Sequence, residues 1–178
     1  MNLPSREECF ELLKKEGTPK NIITHSVIVT KIAVLLATKL IEKGIKINVE
    51  LVEKASLLHD IKKWDEIKKN KKATHGVDGE SFLTGKYPEL ANLVKKHMLY
   101  EVLVGLNSWE EKIVNYADKR VNHDKIVSLK ERFSYLEKRY NLKGDKDWQK
   151  VKELFYYLEN EIFDRIDIEA YELETLIK

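Results

Sequence analysis

The chain has 178 residues, of which 43% are hydrophobic and 35% are charged, a balance that excludes both a disordered tail and a protein built mainly of membrane spans. Its 32 basic and 30 acidic residues leave a formal charge of only +2, so we do not expect nucleic acid to be a partner. The single cysteine, Cys9, can form neither an internal disulfide nor a zinc–thiolate cage, so any metal must be held by nitrogen and oxygen.

The N-terminal residues and the longest apolar stretch bear on where the protein is located. The N-terminal residues show no secretion pattern, and the apolar stretch from Ile28 to Ala37, which Lys31 interrupts, is too short to span a bilayer. We therefore expect a cytoplasmic protein with no membrane partner.

Helical periodicity dominates the chain. Apolar residues recur at spacings of three and four, and only seven glycines and three prolines interrupt them, which predicts an all-α fold. No repeat or flexible linker divides the chain, so we expect a single-domain helical bundle over residues 1–178.

Four elements are predicted in the first half. A long helix runs from about 20 to 43 and ends before Gly44. Asn48 caps a second long helix that continues to Trp64, and a polar, lysine-rich connection follows over 65–74. A shorter element starts near His75 and ends around Gly85.

The second half is also predicted to be helical. Pro88 suits the first turn of a helix that runs to about 103, and Ser108 with Glu111 predicts a capping box that opens a helix to Val121. Ser128 starts a similar signal, and residues 126–178 carry two or three further amphipathic helices, including one over 148–165.

Two of these helices carry candidate functional residues. His25 has mainly apolar neighbours one turn away, a setting that also suits a buried histidine donating to a backbone carbonyl. His59 and Asp60 are adjacent and point about 100° apart on a helix, so they share a centre only if it lies over the helix edge between them. The alternative for Asp60 is a surface ion pair with Lys63.

Asp118 is the most informative single residue. Its neighbours three and four positions away, Val114, Asn115, Val121 and Asn122, offer no opposite charge. A carboxylate turned toward a core needs a cation from elsewhere. A metal ion and a buried lysine or arginine from another helix satisfy that need equally well.

The remaining histidines are ambiguous when each is considered alone. His75 opens a segment in which Gly76 and Gly79 let another helix or a ligand approach, and His97 lies at the margin of an apolar face. His123, in a polar junction, is interpreted as a turn or cap residue. Taken together, the other four histidines with Asp60 and Asp118 are what a nitrogen and oxygen metal site in a helical bundle requires.

The ordered set of motifs resembles the HD superfamily of metal-dependent phosphohydrolases over about residues 20–122. The matching motifs are Thr-His-Ser-Val at His25, Leu-Leu-His-Asp-Ile-Lys-Lys at His59 and Asp60, and Asn-Tyr-Ala-Asp-Lys at Asp118. His75 in His-Gly-Val-Asp-Gly and His97 in Lys-Lys-His-Met extend the resemblance to the six-ligand, two-metal subset. Nothing is recognised beyond residue 126, so the role of the C-terminal helices is left open.

The resemblance implies the ligands of each metal. One ion would be held by His25, His59, Asp60 and Asp118, and Asp60 would bridge to a second ion held by His75 and His97. Imidazole and carboxylate ligands without thiolate suit iron, manganese, cobalt, nickel or zinc, and the resemblance implies iron or manganese among them.

The resemblance also implies a reaction, which is cleavage of a phosphoester or phosphoanhydride bond in a nucleotide-like substrate by metal-bound hydroxide. Asp60 and Lys63 are the catalytic candidates. Lys63 would contact substrate phosphate, as lysines at that place do in several branches of the family, and Lys119 and Arg120 are further candidates for this contact. The lysines that follow the His–Asp pair are either a phosphate-binding patch or a solvated loop; they are Lys62, Lys63, Lys68, Lys69, Lys71 and Lys72.

Within the family, the chain looks closest to small bacterial hydrolases of dinucleoside tetraphosphates. Two alternatives stay open. One is a nucleotide-binding or regulatory module without turnover, and the other is a helical interaction domain whose histidines are all structural. The sequence does not define the oligomeric state.

Overall fold

The computed structural model describes residues 2–71 and 73–177, and in these ranges the chain is almost entirely helical. The helices are α1 (Arg6–Lys15), α2 (Lys20–Glu42), α3 (Val49–Leu58), α4 (Lys63–Lys68), α5 (His75–Thr84), α6 (Pro88–Lys96), α7 (Glu101–Val104), α8 (Trp109–Lys119), α9 (Leu129–Tyr140), α10 (Trp148–Phe163) and α11 (Leu173–Leu176). A short antiparallel hairpin, β1 (Val121–Asn122) with β2 (Lys125–Ile126), joins α8 to α9. The predicted all-α class is confirmed.

Helix α2 is central to the fold and has nearly the predicted bounds. It packs against α3 and α8 through an inner face that includes Val29, Ile32, Leu36 and Leu40, all fully buried. By length and composition alone this helix could cross a membrane, with a mean hydropathy of 1.6 over its most apolar window, but half of that window is buried inside the protein. The core helix of a soluble protein has the same properties.

The predicted second long helix is broken in the structure. Helix α3 begins after the Asn48 cap, as expected, but it ends at Leu58. A turn follows, and α4 then extends to Lys68 through residues that the sequence assigned to a polar connection. The prediction of a continuous helix to Trp64 is therefore wrong, and His59 and Asp60 lie in the turn between the two helices.

A second break separates α6 from α7. The helix predicted from Pro88 to about 103 stops at Lys96, and His97 is its C-terminal cap. No glycine or proline marks this stop, since the next glycine is Gly105. Because α6 ends there, the His97 imidazole lies at the helix terminus, and α6 packs against α3 and α8.

Local signals explain the helix starts better than the ends. The Ser108 hydroxyl accepts from the Glu111 amide at 3.1 Å, but the Glu111 carboxylate accepts from Asn107 instead of Ser108, so only half of that capping box forms. The box of Ser128 and Glu131 is complete. A complete box at Ser5 also opens α1, which the sequence analysis did not identify.

The junction after α8 departs slightly from expectation. The helix ends at Lys119 rather than Val121, because the chain enters the β1–β2 hairpin there. His123 lies in the turn of the hairpin with a φ of 58°, consistent with its interpretation as a turn residue. Helix α10 occupies most of the predicted 148–165 segment and buries Phe155 and Ile162.

Gly76 and Gly79 allow close packing of α5 on α6. A Cβ atom at Gly76 would lie 2.3 Å from Met98 Cγ, and one at Gly79 would lie 2.8 Å from Val94 Cγ1. The sequence left open whether a helix or a ligand approaches these glycines. The structure shows that the approaching group is the α6 helix and the turn that follows it.

Candidate metal centre

Helix α2 positions the first candidate ligand, His25. Its Nδ1 donates to the backbone carbonyl of His123 at 2.9 Å, which leaves Nε2 facing Asp118 Oδ1 at 3.0 Å. The carbonyl partner is the one expected for a buried structural histidine, yet the same bond fixes the tautomer whose Nε2 lone pair is free for a metal.

His59 shows the clearest unsatisfied group. Its Nδ1 donates to the Ser56 carbonyl at 2.8 Å, at the end of α3. Its Nε2 is buried and has no hydrogen-bond partner among the described residues, although it lies 3.6 Å from a carboxylate oxygen of both Asp60 and Asp118. A buried nitrogen lone pair without a donor, turned toward two carboxylates, is the arrangement that a cation between them would satisfy.

The second half of the centre lies on the other side of Asp60. Asp60 Oδ1 is 3.2 Å from His75 Nε2 and 3.6 Å from His97 Nε2, and these two ring nitrogens are 3.1 Å apart. His97 Nδ1 faces the Val94 carbonyl. Both imidazoles therefore turn Nε2 toward the carboxylate that His59 also faces.

Two groups of side chains have ligand atoms within 4.8 Å of one another, and they share Asp60; they are His25, His59 and Asp60, and Asp60, His75 and His97. Asp118 lies against the first group through the distances to His25 and His59 given above. Imidazole nitrogens and carboxylate oxygens suit a divalent transition metal. The residues present thus fit a metal, and the structure brings all six predicted ligands together.

Burial and charge act strongly on both carboxylates. Burial alone would raise the pKa of Asp60, but the charge of His59 and hydrogen bonds from His75 and His97 outweigh it and hold that pKa well below the usual range. Burial is likewise opposed at Asp118 by Lys119 and by His25, with the same result for its pKa. Both side chains are therefore anionic at neutral pH, as metal ligands must be.

Glu66 is a site residue that the sequence analysis missed. Its buried carboxylate accepts from His75 Nδ1 at 2.8 Å and from the amides of Thr74 and His75 at 2.6 and 3.0 Å. Burial would raise its pKa, but these hydrogen bonds and the charge of His75 lower it. A carboxylate on the distal nitrogen of a metal-ligating histidine fixes the ring orientation and raises its basicity.

Lys63 lies beside this second half. Its ammonium is 3.0 Å from Glu66 Oε1 and 3.2 Å from His75 Nδ1. Burial would lower the pKa of Lys63, but the charges of Asp60 and Glu66 help to raise it, so the side chain is a cation at the edge of the centre. The suggested surface pair of Lys63 with Asp60 is not formed, because its ion pair is with Glu66.

Lys119 and Arg120 have other partners than those predicted. The Lys119 ammonium is buried and donates to Asp118 and, at 2.9 Å, to the His97 carbonyl. Asp118 therefore has a cationic partner on its own helix, at the adjacent position that the spacing argument left out. The Lys119 side chain is only 4% exposed and two of its donors are engaged inside the protein, so a contact with substrate phosphate stays a prediction that this geometry does not favour.

The guanidinium of Arg120 points toward the C-terminal helices. It donates to the carbonyls of Val127 and Ala170 at 2.7 and 2.9 Å, and also to Tyr116 and Glu159. All three of its nitrogens are used in this buried network. These bonds join the end of α8 to α10, and a contact of Arg120 with substrate phosphate stays a prediction.

The lysine-rich segment after the His–Asp pair is mostly solvated. Lys62 pairs with Glu16 and lies 4.2 Å from the Phe82 ring centroid. Lys68 pairs with Asp65 on its own helix. The other lysines of the segment, Lys69 and Lys71, are exposed, and Lys72 lies outside the described residues.

The fold and this centre define a class of protein, an all-helical protein with a histidine–carboxylate centre suited to divalent metals. The HD domain family model matches residues 22–123, more than half of the chain. This protein belongs to the HD domain family, whose members bind divalent metals and are generally soluble hydrolases.

Two curated proteins are similar to the chain over most of its length. An uncharacterized protein of Methanocaldococcus jannaschii is 30% identical over 148 residues, which cover 75% of this chain and 85% of that protein. A tRNA (cytidine(56)-2'-O)-methyltransferase of Picrophilus torridus is 28% identical over 144 residues, 72% of this chain but only 40% of the methyltransferase. No solved structure matches the chain significantly.

Proposed function

We propose that this protein is a metal-dependent phosphohydrolase that cleaves a phosphoester or phosphoanhydride bond in a small, nucleotide-like substrate in the cytoplasm. The observation that carries the proposal is the buried Nε2 of His59, which has no hydrogen-bond partner among the described residues and faces Asp60 and Asp118. In an HD domain protein, that arrangement is best explained by a metal that serves hydrolysis.

The proposed ligand sets follow the two halves of the centre. One ion is held by His25, His59, Asp60 and Asp118, and a second by Asp60, His75 and His97. These ligands suit iron, manganese, cobalt, nickel or zinc, and we propose iron or manganese because the chain belongs to the HD domain family. A bound divalent ion lowers the pKa of a water ligand and offsets negative charge on a phosphoryl group.

The protein side chains supply binding and orientation. Asp60, with 14% of its side chain exposed, is the ligand nearest to solvent and is shared by both halves. Lys63 is proposed to exchange its ion pair with Glu66 for a substrate phosphate oxygen, which places a positive charge beside the group that is cleaved. Each of the four histidines donates a hydrogen bond through Nδ1, and this bond holds its ring in one orientation.

A metal analysis joined to a phosphate-release screen tests this function. Protein purified without added metal is measured for bound transition metals, then incubated with mononucleotides, dinucleoside polyphosphates and generic phosphoesters. We expect bound metal and metal-dependent release of phosphate or of a nucleotide. Absence of bound metal in protein that is correctly folded and supplied with iron or manganese would contradict the proposal.

A second candidate is a nucleotide-binding or regulatory module without turnover. The similarity to 40% of the tRNA methyltransferase favours it, because a related segment there forms part of a protein whose name describes a different reaction. The same screen separates the two candidates. A metal-loaded protein that binds nucleotides and hydrolyses none of them would favour the module.

A further inference from the structure

Helix α9 carries an arginine whose hydrogen-bonding capacity is largely unused. Arg132 Nη1 donates to Asn122 Oδ1 at 3.0 Å. Its Nε is buried without a hydrogen-bond partner, and no carboxylate lies within salt-bridge distance in the part of the chain that the structure describes. An unpaired donor on a cationic group costs stability, so its retention calls for a ligand that completes it.

Arg132 is next to the His25 side of the metal centre. Its partner Asn122 directly precedes His123, whose carbonyl accepts from His25 Nδ1. Arg132 is therefore linked to the candidate ligand His25 through Asn122 and His123.

Aromatic packing holds this guanidinium in place. Its carbon lies 5.8 Å from the Tyr135 ring centroid, and the same ring packs edge-on against the His123 ring at 5.4 Å. The contact with Tyr135, one turn along α9, and the bond to Asn122 restrict the arginine to one region. A preorganised guanidinium loses little entropy when it binds an anion.

The other cations around the centre are already engaged. Lys119 is bound to Asp118 and the His97 carbonyl. The three nitrogens of Arg120 are used in bonds to Tyr116, Val127, Glu159 and Ala170. Lys63 is paired with Glu66 on the His75 side. On the His25 side, Arg132 has donors left for a substrate, since its Nε has no hydrogen-bond partner among the described residues.

We propose that Arg132 binds a phosphate group of the substrate on the His25 side of the centre. The inference rests on the proposed function and adds a substrate contact from the C-terminal segment, which neither the motifs nor the family match covers. Nε and Nη2 form one edge of a guanidinium and match two oxygens of a phosphate. Lys63 lies on the opposite side of the centre. Together the two cations favour a nucleotide whose phosphate chain spans both halves of the centre, and they disfavour neutral esters.

Inorganic phosphate is the probe for the test. Its binding to the metal-loaded protein is measured by calorimetry for the native chain, Arg132→Ala, Arg132→Lys and Lys130→Ala. Lys130 is an exposed cation on the same helix, two positions away, and lines a different cleft between α9 and α10. Metal content and melting temperature are measured for every variant.

The expected result is specific to Arg132. Its replacement by alanine should weaken phosphate binding about 10-fold to 100-fold, the range for a hydrogen bond between charged groups. Lysine should restore part of the loss, because it keeps the charge but not the two-pronged edge. Lys130→Ala should bind phosphate like the native chain, and metal content should be unchanged throughout.

Other outcomes separate this inference from the proposed function. Native phosphate affinity in both Arg132 variants, or no phosphate binding by the native metal-loaded chain, would overturn the inference. If Arg132→Ala fails to fold, Arg132→Lys decides, since native affinity in that variant contradicts the two-pronged contact. Phosphate binding that depends on Arg132 in a protein without hydrolytic activity would uphold the inference and contradict the proposed function.

Discussion

The four histidines of the centre use their two nitrogens in the same way. Each turns Nδ1 to a carbonyl or to Glu66, and each turns Nε2 toward Asp60 or Asp118. A histidine satisfied only for structural reasons needs no such common direction. The shared orientation is therefore the residue-scale argument for a metal, and it does not depend on any one distance.

Asp60 and Lys63 should respond differently to replacement. Asp60→Ala removes the ligand that both halves share, so metal content and turnover should be lost together. Lys63→Ala should retain metal and lower kcat/KM by roughly 10-fold to 1000-fold, the effect of about 1.4 to 4 kcal/mol expected from one charged transition-state contact. Metal analysis and steady-state kinetics check both variants.

Lys68→Ala is the matched control for Lys63. It removes a lysine from the same helix α4, but the Lys68 side chain is 48% exposed and pairs with Asp65. Its kinetics should equal those of the native chain. Equal, unchanged kinetics in both lysine variants would assign Lys63 to the surface and leave Arg132 as the phosphate contact.

Glu66 should affect the second half of the centre alone. In Glu66→Gln the amide oxygen can still accept hydrogen bonds, but the negative charge beside His75 Nδ1 and Lys63 is lost. We expect affinity for the second metal to fall about 10-fold to 100-fold, the typical effect of removing such an outer partner, while the first metal is retained. Metal titration followed by calorimetry measures both steps, and equal weakening of both sites would contradict this role.

The sequence identified the candidate ligands more readily than the residues that surround them. His25 and Asp118 were identified because an imidazole or a carboxylate on an apolar helix face needs an explanation. Glu66 lies in a segment with the pattern of ordinary polar surface, and only the folded chain brings its carboxylate to His75. The Asp118–Lys119 pair was missed because spacings of three and four leave out the adjacent residue, whose long side chain donates to Asp118.

At the scale of elements, helix starts were predictable and two functional helix ends were not. Asn48, Ser108 and Ser128 cap their helices as expected, since capping depends on a few adjacent residues. The stops at Leu58 and Lys96 have no glycine or proline, so tertiary packing sets them. Both stops place a histidine at the C-terminal cap of a helix, with its Nε2 3.6 Å from a carboxylate oxygen of Asp60. Periodicity alone does not predict where these helices end.

The α5–α6 contact gives a prediction at this scale. Gly79→Ala would bring a methyl group to 2.8 Å from the buried Val94 side chain, and overpacking of this kind costs about 1 to 3 kcal/mol. The gain of about 1 kcal/mol in helix propensity offsets only part of it. The free energy of unfolding in urea should therefore fall.

Gly85→Ala is the control for this effect. No atom lies within 4 Å of a Cβ at Gly85, and its φ of −66° suits alanine. Its stability should equal or exceed that of the native chain. If Gly79→Ala proved as stable as Gly85→Ala, close approach would not be the reason for a glycine at position 79.

For the whole molecule, the centre joins parts of the chain that are far apart in sequence. The six candidate ligands come from α2, the α3–α4 turn, α5, the end of α6 and α8, and span residues 25 to 118. The carbonyl of His123 and the network of Arg120 connect this core to the hairpin and to α10. A cation bound among these ligands would cross-link most of the fold.

Metal should therefore raise the stability of the whole protein. A ligand present at a thousand times its dissociation constant adds about 4 kcal/mol, and each kcal/mol raises the melting temperature of a chain this size by about 2 to 4 °C. We expect manganese to raise the melting temperature of chelator-treated protein by roughly 8 to 16 °C at that saturation.

His59→Ala should abolish this shift in melting temperature. His123→Asn should retain it, because asparagine tolerates the positive φ of this turn and keeps the backbone carbonyl that faces His25. Calorimetric scans with and without metal make the comparison, and a full shift in His59→Ala would mean that the stabilising ion binds somewhere other than this centre.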